Sequence, residues 1–390
     1  MRIGILSDCH LGERKFRKIT NFQNSYESVN NKVFNEALSI LEKEKVDACI
    51  IAGDLFDNPN PSIKTILQAN KLISFSEKLK DKLYILSGNH DWSQSNDAIS
   101  CHTFDIFNSE KIECVTNYSE VFTIKENNND NDSNNDSNSV NNIVTITMLP
   151  YKCLTPENYR NIYKNIEQQQ INKLKNKKNN IKYNNILVFH GSVDVNKSIL
   201  EDEDNIFLLP TDIAKNYDLV VAGHVHIPQI ISGVKSKILV PGSLMPSNQA
   251  NDSTMKPSVY IYDTNTNVNI NNHENKSNIE VFNLKTSPNV YNISTSNIND
   301  ILNEISSSKY NDDIYFIKYN GKASDIDEKL YKLACQNVLN INVQTNEIIN
   351  IEDYISNNKI NDIIKDFWKY VETNHEDYVD EFKNILKGDS

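Results

Sequence analysis

The residues best suited to chemistry recur at one kind of place, just after short apolar runs. Asp8 and His10 form a D-x-H pair directly after Ile3-Gly4-Ile5-Leu6. Gly53-Asp54-Leu55-Phe56-Asp57 follows the apolar run 48–52, and Gly88-Asn89-His90-Asp91 follows the run 83–86. His190 closes Leu187-Val188-Phe189, and Gly223-His224-Val225-His226 closes Leu219-Val220-Val221-Ala222. Five of the eight histidines are therefore placed alike. Imidazoles, carboxylates and one amide together suit borderline-hard divalent ions such as Mn²⁺, Fe²⁺ or Zn²⁺ rather than Ca²⁺. One such motif alone is ordinarily a capped turn. Five in order, each behind its own strand, exceed what turn chemistry explains.

The elements that must position these residues are legible in the spacing. Strands are expected at Ile3–Leu6, Ala48–Ala52, Leu83–Leu86, Ile143–Leu149, Ile186–Phe189, Leu219–Ala222, Ile238–Val240 and Val259–Tyr262. Val29, Val33, Phe34, Ala37, Leu38 and Leu41 recur at helical spacing, and Ile66, Leu67, Leu72 and Leu79 are placed in a second helix. Strands alternating with helices and then more strands indicate a layered α/β domain. In such sheets ligands gather outside the carboxyl ends of the strands, where these motifs fall. Three Asn-rich segments, near 127–142, 173–185 and 265–278, lack apolar periodicity and read as exposed insertions. From about Tyr291 a small α/β unit follows. It has a helix through Ile298, Ile301, Leu302 and Ile305, a strand at 314–319, a helix through Ile326, Leu330 and Leu333 opened by Ser324 and Asp327, and a strand at 338–343. An amphipathic tail closes the chain with Ile360, Ile363, Ile364, Phe367, Trp368 and Val371, then Tyr378, Val379, Phe382, Ile385 and Leu386.

The ordered set D-x-H, G-D-x-x-D, G-N-H-D, H and G-H-x-H resembles the calcineurin-like metallophosphoesterases. That resemblance implies a four-layer αββα sandwich and two divalent cations, Mn²⁺ by preference, with Mg²⁺, Fe²⁺ or Zn²⁺ as alternatives. One ion is expected on Asp8, His10, Asp54 and His226, the other on Asp54, Asn89, His190 and His224, with Asp54 shared. Paired ions about 3.5–4 Å apart clamp the attacking and leaving oxygens at phosphorus and bring the pKa of water down to about 7. His90 is implied to face the scissile phosphate, and Asp57 to orient His90; the plain alternative for Asp57 is a turn residue before Asn58-Pro59.

Within the superfamily, GDLFDNPNPS, the Asp91 of GNHD, Ser87 before Gly88, and Pro241-Gly242-Ser243 resemble SbcD-type DNA-repair nucleases. The resemblance implies three parts: residues 1–286 a nuclease domain, 287–350 a small α/β DNA-capping domain, and 351–390 helices that dock on an SbcC-type coiled-coil ATPase. A homodimer acting on DNA is implied as well.

Charge supplies the counterweight. The formal net charge is −12 over 390 residues, so polyanion binding would need local basic groups or bound cations. Arg14, Lys15, Arg17 and Lys18 follow the D-x-H motif and are candidate substrate contacts. Seven basic residues lie between Arg160 and Lys182 against Glu167 alone, in what is otherwise a solvated Lys/Asn-rich insertion. The segment 352–390 is acidic, and an amphipathic tail ordinarily packs on its own domain if no partner takes it. No G-x-x-x-x-G-K-[ST] loop is present, so ATP dependence would belong to another protein. Six cysteines without a C-x-x-C pair exclude a thiolate zinc site and suit a reducing compartment. With no signal peptide and no apolar run of membrane-span length, a cytoplasmic, nucleoid-associated protein is expected, or a host-cytoplasmic one should the Asn/Lys/Ile bias reflect a viral genome. Two other readings remain open: a small-molecule or cyclic-nucleotide phosphodiesterase, and an inactive scaffold for DNA ends.

Overall fold

The computed structural model describes residues 1–13, 26–92, 102–127, 140–151, 182–193, 208–209, 211–231, 237–246, 256–265, 278–307, 313–321 and 340–345. In chain order the elements begin β1 (Arg2–Leu6), α1 (Tyr26–Lys43), β2 (Ala48–Ala52), α2 (Ile63–Ala69), α3 (Lys71–Ser76), β3 (Leu83–Leu86) and β4 (Ile112–Val115). They continue with β5 (Glu120–Asn127), β6 (Val140–Leu149), β7 (Lys182–His190), β8 (Ser192–Val193), β9 (Leu208–Leu209), β10 (Leu219–Gly223), β11 (Gln229–Ile231) and β12 (Lys237–Val240). The last are β13 (Ser258–Asp263), β14 (Ile279–Asn283), β15 (Val290–Thr295), α4 (Ile298–Ser307), β16 (Ile314–Tyr319) and β17 (Asn340–Thr345).

Two six-stranded mixed sheets result, in the orders β14-β13-β1-β2-β3-β4 and β11-β12-β10-β7-β6-β5. Strands β1 to β4 run parallel in one and β6, β7, β10 and β12 in the other, while β13 pairs antiparallel with β1 and β14, β5 with β6, and β11 with β12. The period-2 alternation of side chains decides how the sheets stack. Ile3, Ile5, Ala48, Ile50 and Ala52 meet Val144, Ile146, Ile186, Val188, Leu219 and Val221 in a core between the sheets. Leu6, Cys49 and Ile51 point the other way, against the helical face Val29, Val33, Phe34, Ala37 and Leu41 of α1. On the far side of the second sheet, Leu187, Phe189, Val220 and Ala222 pack with Ala214 and Tyr217. Each central strand is thus buried on both faces, which is why it reads as an unbroken apolar run.

The structure revises several expectations. β6 and β7 start earlier than expected and take in parts of the supposed insertions 127–142 and 173–185. Asn142, Asn184 and Asn185 are buried, because their amides are satisfied. Asn142 Nδ2 donates to Glu126 Oε2 at 3.0 Å and to Thr264 Oγ1 at 2.9 Å. Asn184 Nδ2 donates to Asn142 Oδ1 at 3.0 Å, and Thr145 Oγ1 to Asn185 Oδ1 at 2.6 Å. A paired polar side chain can sit in a sheet that an unpaired one would break. The single helix placed over Ile66 to Leu79 is two, α2 and α3, and Leu67 is 63% exposed rather than core.

A third, all-parallel sheet β15-β16-β17 follows, with α4 connecting its first two strands. β15 is an addition to the expected helix, strand, helix, strand order, and the final strand lies at 340–345 instead of 338–343. The helix expected around 326–334, the tail 351–390, and the basic residues 14–18 and 160–178 lie outside the described residues.

Candidate metal centre

β1 and β2 run parallel and in register, and their pairing continues past the strand ends. Asp8 N–H donates to Gly53 O at 3.0 Å, His10 N–H to Asp54 O at 3.0 Å, and Leu11 N–H to Leu55 O at 2.9 Å. The D-x-H and G-D-x-x-D motifs are therefore laced together by backbone before their side chains do anything. Asp8, His10, Asp54 and His224 all have positive φ, at 49°, 43°, 47° and 90°. For residues other than glycine this costs about 1–3 kcal/mol each and persists only where the surroundings over-determine it.

Two of those surroundings are visible. Asn30, fully buried on α1, donates through Nδ2 to Cys9 O at 3.0 Å and to His10 O at 2.8 Å. Asp91 ties the second motif to the third, its carboxylate accepting from Phe56 N–H at 3.0 Å and Gly88 N–H at 2.8 Å. Burial, and then Asp54 nearby, push the Asp91 carboxyl up to about 7. Glycines permit the close approach of the loops. A Cβ on Gly53, whose φ is +97°, would lie 1.9 Å from His190 Nδ1, and one on Gly88 would lie 2.1 Å from Asp54 Oδ1.

Three groups of ligand-type atoms converge, each within 4.8 Å: Asp8, His10 and His226; Asp54, His190 and His224; and His10, Asp57 and His90. Asp54 Oδ2 faces both of the first two groups, 3.7 Å from His10 Nε2 and 3.2 Å from His190 Nε2. Asn89 Oδ1 joins the second at 3.0 Å from His190 Nε2 and 2.9 Å from His224 Nδ1. His224 N–H donates to both oxygens of Asp8 at 3.1 Å. All seven residues named as candidate ligands thus come to one edge of the sandwich, at the carboxyl ends of β1, β2, β3, β7 and β10.

The donor chemistry fits cations. His190 Nδ1 sits 2.9 Å from Ala52 O, so it carries the proton, and in the neutral ring Nε2 is left with a lone pair. That lone pair faces Asn89 Oδ1 and Asp54 Oδ2, which are acceptors too. His10 Nε2 and His226 Nε2 confront each other at 3.1 Å. Acceptors facing acceptors need a proton or a metal between them. Without metal, protons fill the role. Burial would lower the pKa of His10, but Asp57, Asp54 and Asp8 raise it to about 9. His190 behaves alike, lowered by burial yet raised to about 9 chiefly by Asp54. Burial raises Asp54 in turn, but His190 and His10 hold it far below the usual carboxylate range.

His90 is the most open member of the cluster, its side chain 42% exposed. Its N–H donates to Asp54 Oδ1 at 2.9 Å, and its Nδ1 lies 2.9 Å from the main-chain oxygen of Asp57. The Asp57 carboxylate is farther from that atom, at 3.9 Å. Tyr151, just past β6, sets its ring 6.3 Å from that of His224 at 29°. Sequence reasoning passed over Asn30, Asp91 as a tether, and Tyr151. Asn30 had a signal, being the polar residue among Val29, Val33 and Phe34 on the apolar face of α1, and Tyr151 follows a strand end as the other site residues do.

The DNA double-strand break repair protein Mre11 of Saccharolobus solfataricus is 26% identical over 120 residues, 31% of this chain and 30% of that protein. The SbcD component of the SbcCD nuclease of Bacillus subtilis is 34% identical over 92 residues, 23% of this chain and 22% of the relative. The same component from Escherichia coli K12 is 32% identical over 91 residues, 23% and 21% of the respective chains. The chain thus aligns with less than a third of each relative's length. The Calcineurin-like phosphoesterase family matches residues 1–228, more than half of the sequence. This chain belongs to the calcineurin-like phosphoesterases, metal-dependent hydrolases of phosphoesters.

Proposed function

We propose that this chain is a DNA nuclease, the hydrolytic subunit of an SbcCD-like complex, cleaving phosphodiesters with two divalent cations, Mn²⁺ by preference. The observation that carries the reading is the convergence of seven ligand-type side chains from five strand ends, in a chain whose curated relatives include a DNA double-strand break repair protein and nuclease subunits. Asp8, His10, Asp54 and His226 would hold one cation, and Asp54, Asn89, His190 and His224 the other. The bound ions would supply an activated water and charge neutralisation at phosphorus.

The remaining work falls to the chain's own groups. With Nδ1–H of His90 given to the Asp57 carbonyl oxygen, Nε2 is the atom left for substrate. There the doubly protonated ring would stabilise charge on a phosphoryl oxygen through Nε2–H, or give that proton to the leaving oxygen and return to the neutral form with Nδ1–H still on the Asp57 carbonyl. Asp57 holds this ring in place. Arg14, Lys15, Arg17 and Lys18, which follow the D-x-H motif in the sequence, would contact the phosphate backbone of the substrate. We assign residues 1–286 to the nuclease domain and 287–350 to a DNA-capping domain. In this reading 351–390 docks on an SbcC-type coiled-coil ATPase, with the nuclease subunit itself a homodimer. Among the described residues no helix is long and apolar enough to cross a membrane.

One observation favours a second reading. The net charge of −12 is unusual for a DNA-binding surface, and the same cation pair would hydrolyse a small or cyclic phosphodiester equally well. End-labelled duplex DNA incubated with Mn²⁺ and either the wild type or His90→Asn distinguishes the two. Cleavage by the wild type and not the variant is expected. Rapid hydrolysis of a small diester with DNA left intact, both with and without an SbcC-type ATPase, would overturn the nuclease reading and favour the second.

A further inference from the structure

His10 and His90 meet edge to face, their ring centroids 4.7 Å apart at 89°, and Asp57 reaches both with different atoms. Its main-chain oxygen is 2.9 Å from Nδ1 of His90. Its carboxylate Oδ1 lies 3.5 Å from Nδ1 of His10 and 3.9 Å from Nδ1 of His90. A contact of 2.9 Å is a hydrogen bond, and one of 3.9 Å is not. His90 is thus held by the main chain at position 57, whatever side chain stands there.

His10 is the opposite case. Its ring is buried, with Nε2 turned toward His226 and Asp54. Its Nδ1 lies on the other edge of the ring and makes no hydrogen bond of ordinary length. A neutral imidazole that offers the Nε2 lone pair to a cation must carry its proton on Nδ1, and a buried N–H needs an acceptor. Histidine ligands of metals commonly give this second N–H to a carboxylate or carbonyl. His190 does so with Ala52 O at 2.9 Å; for His10 the group so placed is the Asp57 carboxylate.

We propose that the Asp57 carboxylate is a positioning residue for His10, accepting its Nδ1–H and so fixing the ring as a cation ligand, while the Asp57 main-chain oxygen alone orients His90. This rests on the two-cation reading given above. It divides by atom what the sequence assigns to Asp57 as a whole. The carboxylate governs cation affinity, and the carbonyl governs the group that faces the substrate.

The test separates binding from turnover. Mn²⁺ titrations of the full chain, read by the EPR signal of the free ion, are run on wild type, Asp57→Ala, Asp57→Asn and His90→Asn. Asp57→Ala is expected to weaken one of two Mn²⁺ sites by about 10- to 100-fold. Asp57→Asn, whose amide oxygen still accepts, weakens the same site less, and it preserves the comparison should the alanine variant fail to fold. His90→Asn keeps both affinities. With a small phosphodiester, activity of the Asp57 variants returns as Mn²⁺ is raised, while His90→Asn stays inactive at every concentration. Wild-type affinities in both Asp57 variants, with turnover lost at all Mn²⁺ levels as in His90→Asn, would overturn the proposal and return the carboxylate to His90. A wild type that binds fewer than two Mn²⁺ overturns the two-cation reading itself, an outcome visible before any variant is made.

Discussion

Replacing Gly53 with alanine tests how tightly the second cation group is built. The added Cβ would fall 1.9 Å from His190 Nδ1, and an ordinary contact begins near 3.4 Å, so the ring must withdraw by 3.4 − 1.9, about 1.5 Å. The hydrogen bond from Nδ1 to Ala52 O, now 2.9 Å, cannot survive such a shift. A buried N–H and C=O are then left unmatched, at about 1–3 kcal/mol, and alanine at φ +97° adds strain of about 1–3 kcal/mol. The expected loss is about 2–6 kcal/mol, a large part of the roughly 5–15 kcal/mol that holds a typical domain. His190 Nε2 also leaves Asn89 Oδ1 and Asp54 Oδ2, which it now meets at 3.0 and 3.2 Å. Urea denaturation in EDTA measures the first effect, and Mn²⁺ binding by EPR the second, with one of two ions expected to be lost. A Gly53→Ala protein within about 1 kcal/mol of wild type that still binds two Mn²⁺ would refute the reasoning, because the loop would then have room that the structure denies it.

Three further outcomes are expected. Asp91→Ala frees the Phe56 and Gly88 N–H groups and should cost about 2–6 kcal/mol in urea denaturation, less whatever is recovered by removing its repulsion with Asp54; an unchanged midpoint would show that the tether is dispensable. Asn30→Leu removes the donor to Cys9 O and His10 O and should destabilise by about 1–3 kcal/mol and weaken Mn²⁺ binding at the Asp8–His10 group, measured by denaturation and EPR together. The raised pKa values of His10 and His190, about 9 against 6.5 unperturbed, fix the sign of a pH effect. Their contribution to the metal-free fold is complete below pH 6.5 and lost as pH rises through about 9, so the melting temperature in EDTA should fall over that window. Mn²⁺ affinity should rise across it as protons are displaced, and an affinity independent of pH would contradict the shifts.

Much of the frame was legible because the central strands are buried on both faces. The expected limits of β2, β3 and β16 match those observed, and β1 and β10 differ by a single residue. The edge strands of the two large sheets were not found. β5 and β14 carry Glu120, Lys125 and Glu280 on faces open to solvent, and β4 is only four residues long. A strand with one wet face gives no unbroken apolar run. β6 and β7 were cut short for the converse reason. Asn142, Asn184 and Asn185 look like loop residues until their partners across the sheets are known. The site motifs were readable by residue type and order, but what aims them was not. The Asn30 and Asp91 contacts join segments 20 and 35 residues apart, and no spacing rule predicts left-handed backbone at Asp8, His10 or Asp54.

That backbone strain also bears on why the centre calls for cations. Among the described residues five other than glycine have positive φ, and four of them are Asp8, His10, Asp54 and His224. The same small volume holds the buried carboxylates of Asp8, Asp54 and Asp91. Strained backbone and like charges in a low-dielectric site both oppose folding, and lacing by Asn30, Asp91 and the Leu11–Phe56 bridge answers only the first. Cations answer the second, and binding only the folded chain they stabilise it by mass action, about 2.7 kcal/mol at 100 times Kd. They would also concentrate positive charge at one edge of a chain whose formal net charge is −12. A polyanionic substrate could then be drawn to that edge without a basic surface elsewhere, which offsets part of the weight that the acidity of the chain puts on the small-diester reading.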